Sequence, residues 1–264
     1  MTATRILLLI LFLHAAAARA GEVIRACAAD IEYPPYAYSS GRADKGMPQA
    51  QGVGIDVLRR ILERTGKETA EVSLLPWKRC LKMAETGAID VVINVPTAQI
   101  DPTPFLISEP YADVHSMYYV SRRNHPDGIR IRNLGNLRSY KICGLIGNTY
   151  ESYGIPTESV DRGAKTYLAL VDKLHAGHCD LFIEKREVME GLVRFNADLT
   201  NALGPAQIAG ASLPEDAPIG LHFAISKRSR DAGRLLERID DEITALRSSK
   251  SVDRMLKKHL GGRH

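Results

Sequence analysis

The sequence predicts an α/β protein built from two units in series. Strand-like and helix-like segments alternate over residues 23–95, and a second alternating block covers residues 116–195. No short-period repeat or low-complexity tract interrupts them. Strands alternating with helices imply parallel sheets with crossover helices.

In the first block, residues 23–28 read as a strand and Tyr33-Pro34-Pro35-Tyr36 as a turn-rich stretch. Residues 39–50 are polar, contain Gly and Pro, and read as a surface loop. A helix is expected over 54–65, because Ile55, Leu58, Ile61 and Leu62 recur on one face. Residues 71–75 read as a strand, 77–86 as a helix stopped by Gly87, and 89–95 as a buried-type strand. In the second block, 116–120 and 140–146 read as strands, and Gly147-Asn148-Thr149 opens a helix. Further segments are a helix at 167–174 stopped at Gly177, a strand at 181–184 and a helix at 185–195. A strand at 219–226 and helices at 230–246 and 251–260 close the chain.

The N-terminus carries an address. Arg5 precedes an apolar run, Ile6 to Leu13, and a small-residue tract ending Ala18-Arg19-Ala20. This is the pattern of a secretory signal peptide, residues 1–20, cleaved after Ala20. The run is shorter than the roughly 20 residues a bilayer span needs, which leaves a retained N-terminal anchor as the alternative. Removing residues 1–20 leaves 244 residues and lowers the net charge from +4 to about +2. The remaining basic residues are interspersed with acids, so no stripe suited to nucleic acid exists. Gly21, not Cys, follows the cleavage point, so a freely soluble periplasmic protein is expected rather than a lipoprotein.

The four cysteines, Cys27, Cys80, Cys143 and Cys179, allow three pairings. Export makes disulfides the expected state. The layout favours Cys27–Cys80 and Cys143–Cys179, one per unit, because a bridge across the units would lock any hinge. Free buried thiols and a metal site are the alternatives. No C-x-x-C pair exists and His178-Cys179 lacks clustered partners, so no metal is expected.

Several segments together carry a resemblance. They are Asp30-Ile-Glu-Tyr33-Pro-Pro-Tyr36, Gly52-Val-Gly54-Ile-Asp56, Pro76-Trp77-Lys-Arg79-Cys80-Leu with Gly87-Ala-Ile-Asp90, and Ser108-Glu-Pro-Tyr111. Gly147-Asn-Thr149, His175-Ala-Gly177-His-Cys-Asp180 and Lys257-Lys-His-Leu continue the series. Their order resembles the type II periplasmic solute-binding proteins, the polar amino-acid uptake cluster of extracellular solute-binding family 3. The resemblance covers nearly all of residues 22–262. It implies a two-lobed, periplasmic-binding-protein-like α/β fold, each lobe a mainly parallel sheet flanked by helices, with two hinge crossings. Lobe 1 would be residues 22–116 plus 224–264, lobe 2 residues 121–219, and the hinges would lie near 117–120 and 220–223.

The resemblance also implies site residues. Tyr33 would form an aromatic wall, with Tyr36 a weaker candidate, and Trp77 would stack on a flat or cationic ligand. Core packing is the alternative for all three. Arg79 is a candidate anion partner or a solvated helix-face residue. Asn94 and Thr97 sit where a first-lobe strand ends, the favoured side for ligands. Asn148 and Thr149 offer backbone N–H groups or merely cap a helix. Glu184 matches the acid that holds a ligand amine, or forms a surface pair with Lys185. One departure matters. The arginine that grips an amino acid's carboxylate in this family falls at Ile100, which cannot form that charge-assisted pair.

The expected function is therefore capture of a small polar solute for a membrane transporter, such as an ABC permease, or a sensor. A standard α-amino acid held in the usual way is not expected. Such a protein would work as a monomer, without cofactor, metal or catalytic residues. Two alternatives stay open. One is an exported dehydratase-like enzyme on a cyclic carboxylic acid, with Glu184 as acid or base. The other is an accessory docking protein with a vestigial cleft, using loop 39–50 and the 214–218 stretch.

Overall fold

The computed structural model describes residues 22–40, 49–65, 68–214 and 217–261. The expected signal sequence and its cleavage point, most of loop 39–50 and the centre of the 214–218 stretch lie outside the described residues. In chain order the first unit runs β1 (Glu22–Ala29), β2 (Tyr38–Ser40), β3 (Gln49–Gln51), α1 (Val53–Thr65), β4 (Glu68–Leu75), α2 (Trp77–Glu85), β5 (Val91–Val95), β6 (Phe105–Ile107) and β7 (Ala112–Val114). The second follows with β8 (Ser116–Ser121), β9 (Ile142–Leu145), β10 (Asp161–Ala164), α3 (Tyr167–His175), β11 (Leu181–Lys185), α4 (Arg186–Phe195), α5 (Ala197–Ala202) and β12 (Ile208–Ser212). The chain then returns through β13 (Ile219–Ser226), α6 (Ala232–Ser248) and α7 (Ser251–His259).

Two sheets result. The first has the order β4-β1-β5-β13-β6, with β7 also pairing β13; the second has the order β10-β9-β11-β8-β12. Both are mixed rather than mainly parallel. In the first, β1 is parallel to β4 and β5, whereas β13 is antiparallel to β5, β6 and β7. In the second, β9 is parallel to β10 and β11, whereas β8 is antiparallel to β11 and β12. Helices α1 and α2 connect the parallel strands of the first sheet and α3 connects β10 to β11 in the second, where β9 passes to β10 through 3-10 turns. The strands next to the passages between units, β8 and β13, enter from the other direction. The chain leaves the first sheet at His115, between β7 and β8, and returns through the stretch between Ser212 and Ile219.

Side-chain alternation explains how the first sheet buries both faces. Val91 and Ile93 of β5 pack with Leu58, Ile61 and Phe223 on the face covered by α1, α6 and α7. Val92 packs with Cys27, Cys80 and Ala224 on the face covered by α2, and Val95 joins it because the left-handed backbone at Asn94 breaks the alternation. In α1 the four residues of the periodic stripe are essentially fully buried. Two disulfides are present, Cys27–Cys80 and Cys143–Cys179, one within each unit.

One expected element differs. The Gly147-Asn148-Thr149 segment does not open a helix; it is a turn followed by a single 3-10 turn, Glu151–Tyr153. Gly154 ends that turn in the left-handed region at φ 69°, and Pro156 follows, so a longer helix cannot continue.

Candidate functional site

The parallel strands of both sheets end at one place. There lies a cavity of about 730 Å³, lined from the first unit by residues that include Ala29, Tyr33, Trp77 and Asn94 and from the second by residues that include Leu145, Tyr167 and Glu184. Strand ends deliver its wall: Ala29 from β1, Asn94 from β5, Leu145 from β9, and Glu184 and Lys185 from β11. Carboxyl ends of parallel strands are where such sheets leave backbone groups and loops free for a ligand.

Glu184 and Lys185 are both buried, at 5% and 6% exposure, although they are adjacent in a strand. Each needs internal partners to tolerate that. The Tyr167 hydroxyl donates to Glu184 Oε2 at 2.8 Å, and the Lys185 backbone N–H donates to Oε1 at 2.8 Å. Lys185 Nζ donates to the Tyr153 hydroxyl at 2.5 Å and to Ser116 Oγ at 3.2 Å, and lies 5.3 Å from the centre of the Tyr153 ring. Both side chains are buried and hydrogen-bonded internally, so the alternative reading of Glu184 and Lys185 as a surface pair does not hold. Burial, followed by the Glu184 carboxylate, pushes the Tyr167 hydroxyl pKa well up; the same two causes act on Tyr33. Both phenols therefore remain neutral donors at neutral pH.

On the opposite wall, Tyr33 and Trp77 face the cavity from the first unit. Trp77 opens α2 directly after Pro76. Asn94 adopts a left-handed backbone conformation at φ 63° and accepts from the Tyr111 hydroxyl, which fixes its amide at the end of β5. Gly54 lies behind it: a β-carbon at Gly54 would stand 2.2 Å from Asn94 Oδ1.

Of the residues singled out in the sequence, Tyr33, Trp77, Asn94, Asn148, Thr149 and Glu184 line the cavity. Arg79 and Thr97 do not. Arg79 is on the exposed side of α2, because Cys80 and Ala84 take the buried side. Thr97 is exposed at the start of a 3-10 turn whose last residue, Gln99, lines the cavity instead. Tyr36 is fully buried in the core. Ile100 packs against the cluster around Cys27 and Cys80 and is not on the cavity wall. Sequence reasoning missed Tyr150, Tyr153, Arg162, Lys165, Tyr167 and Lys185, all of which line it. Their one common signal was clustering within the second unit, three of them tyrosines.

Among the described residues, no group of three or more His, Cys, Asp and Glu side chains is arranged to hold a metal ion. No described helix is long and apolar enough to cross a membrane.

Comparison with known proteins follows the same lines. The family model described as bacterial extracellular solute-binding proteins, family 3, matches residues 26–262. A search of curated protein sequences gives no match. Several solved structures are similar. One is AbpA from Streptococcus pneumoniae Canada MDR_19A, an amino acid ABC transporter substrate-binding protein bound to L-arginine. It is 18% identical with a TM-score of 0.67, over 90% of this chain and 94% of that one. A histidine kinase sensor domain with similarity to periplasmic binding proteins is 20% identical with a TM-score of 0.68, over 92% and 97% of the two chains. A structure from work on glutathione import through GshT and the cystine importer TcyBC of Streptococcus mutans is 13% identical with a TM-score of 0.68, over 92% and 96%. At these identities the likeness shows a shared two-lobed fold.

Proposed function

The chain belongs to the bacterial extracellular solute-binding proteins, family 3, and on that premise we propose that it captures a small polar solute between its two units and presents it to a membrane transporter or a sensor. The family and the structural neighbours are binding proteins. The observation that carries the reading is the cavity itself: about 730 Å³, walled by both units and built from the ends of their parallel strands. That volume lies within the usual range for small-molecule sites. The neighbours include both a transporter component and a kinase sensor domain, which supports either recipient.

The solute is not a standard α-amino acid gripped through a first-unit arginine. Ile100 packs against the disulfide cluster, and among the described residues of the first unit Lys78 is the only basic one that lines the cavity. The protein works outside the cytoplasm after cleavage at Ala20, as a monomer and without turnover.

Trp77, the chain's single tryptophan, reports on the cavity it lines. Adding a cell metabolite extract to the purified protein is expected to quench its fluorescence and raise the thermal midpoint, leaving the extract chemically unchanged. An extract that moves neither signal, with nothing found co-purifying in native mass spectrometry, would overturn the proposal. Product formation would favour an enzyme.

A further inference from the structure

The charges on the cavity wall do not balance, and their distribution identifies a ligand class. The lining includes four basic residues, Lys78, Arg162, Lys165 and Lys185, against two acids, Asp30 and Glu184. Lys185 is engaged with Tyr153 and Ser116. Arg162 and Lys165 take part in none of the ion pairs among the described residues. Arg162 is half-buried on β10, and its guanidinium reaches only the Asn148 carbonyl, at 3.4 Å. Strand alternation separates it from its acidic neighbour, because Asp161 points to the other face and pairs with Lys173. A half-buried guanidinium without a carboxylate partner thus lines the cavity from the second unit, and Tyr33 and Trp77 line it from the first.

We propose that the solute is a small organic carboxylate with a flat body, anchored by Arg162 with Lys165 in the second unit. The inference rests on the cavity being a ligand site. The anion anchor thereby lies in the second unit, while the first supplies flat aromatic surface. A guanidinium matches the planar carboxylate through two parallel N–H donors. Arg162 reaches the Asn148 carbonyl, which places the anchor beside the turn at Gly147–Thr149. Glu184 receives a hydroxyl or other donor at the opposite end of the molecule, since a carboxylate accepts more bonds than the two it makes.

The test uses the full mature chain and a metabolite extract divided on an anion-exchange resin. Retained anions are expected to quench Trp77 and raise the thermal midpoint, and mild methyl esterification of that fraction is expected to abolish both effects. Arg162→Gln is expected to weaken the response by roughly ten- to a hundredfold, Arg162→Lys by less, and Lys165→Gln, at an exposed position, by a smaller factor. Circular dichroism checks that each variant is folded. If the unretained fraction alone produces the response, the cavity binds a solute and the carboxylate assignment is wrong. The same holds if esterification is without effect, or if the folded Arg162→Gln and Lys165→Gln proteins titrate like wild type. Silence from both fractions overturns the carboxylate assignment and the binding reading together.

Discussion

Gly191 of α4 meets Pro34 of the first unit so closely that a β-carbon at Gly191 would lie 2.6 Å from the Pro34 carbonyl oxygen. The contact is between units, and it has company. The Tyr38 and Phe195 rings stack at 5.0 Å, and Arg194 donates to the Gly261 carbonyl at 2.7 Å. One face of α4 therefore abuts the first unit at three points. Gly191→Ala is expected to push the units apart at little cost within either one. Small-angle scattering would give a larger radius of gyration than wild type, and titration of Trp77 would show weaker binding. An unchanged scattering curve would mean that the backbone yields locally instead.

Glu184 carries the next expectation. A hydrogen bond to a charged acceptor contributes about 1.5–3 kcal/mol, and Tyr167 makes one with Glu184. Glu184→Gln keeps the shape and can still accept from Tyr167. It should retain most of the thermal stability while losing most of the ligand-induced quench of Trp77. Tyr167→Phe should weaken binding less, because it loosens Glu184 without removing it. Equal titration curves for wild type and Glu184→Gln would exclude a ligand contact at this carboxylate.

The disulfides enclose loops with sequence separations of 53 and 36. Chain-entropy reasoning assigns each about 4 kcal/mol of stabilisation, with measured effects often smaller. The double variants Cys27→Ser/Cys80→Ser and Cys143→Ser/Cys179→Ser should each unfold at lower denaturant, with the two losses nearly additive because the bridges lie in different units. Equilibrium denaturation of wild type, the two double variants and the variant lacking both bridges measures both points.

Acid should also weaken the fold through Asp56. The hydrogen bond from His259 Nε2 at 2.8 Å, opposed by burial and aided by Lys258, holds this carboxyl below the ordinary aspartate range. A depressed carboxyl stabilises the folded state above its unfolded value of about 3.9, and the contribution is lost as pH falls through the lower folded value. Melting between pH 6 and pH 2 should show the midpoint falling in the acid part of that range. Asp56→Asn should melt lower than wild type at neutral pH, with the difference vanishing in acid.

Much of this molecule was legible because strong patterns carried it. The stripe Ile55, Leu58, Ile61 and Leu62 gave α1, and the apolar run at Val91–Val95 gave β5. Elements without such patterns escaped. β10 reads Asp-Arg-Gly-Ala and has no apolar alternation to detect; β6 and β7 are three residues each and exist through pairing with β13, a partner more than a hundred residues away. The cavity wall follows the same division. Trp77 and Glu184 sit at the ends of recognisable segments, whereas Arg162 reaches the wall through the strand that the sequence conceals. Arg79, a candidate anion partner or a solvated helix-face residue in the sequence, is the second, because a two-residue step along the helix from Trp77 turns it to solvent.

The place of β13 has a consequence in time. All strands of the second sheet come from the continuous stretch between Ser116 and Ser212, whereas the first sheet needs β13, which follows them all. A chain made from its N-terminus can complete the second unit while β5 still lacks its second neighbour, on the side away from β1. Until residue 219 arrives, the Val91–Val95 edge stays unpaired. The unit synthesised first is thus the last to be finished, and protection of the nascent protein from aggregation is most needed along that edge.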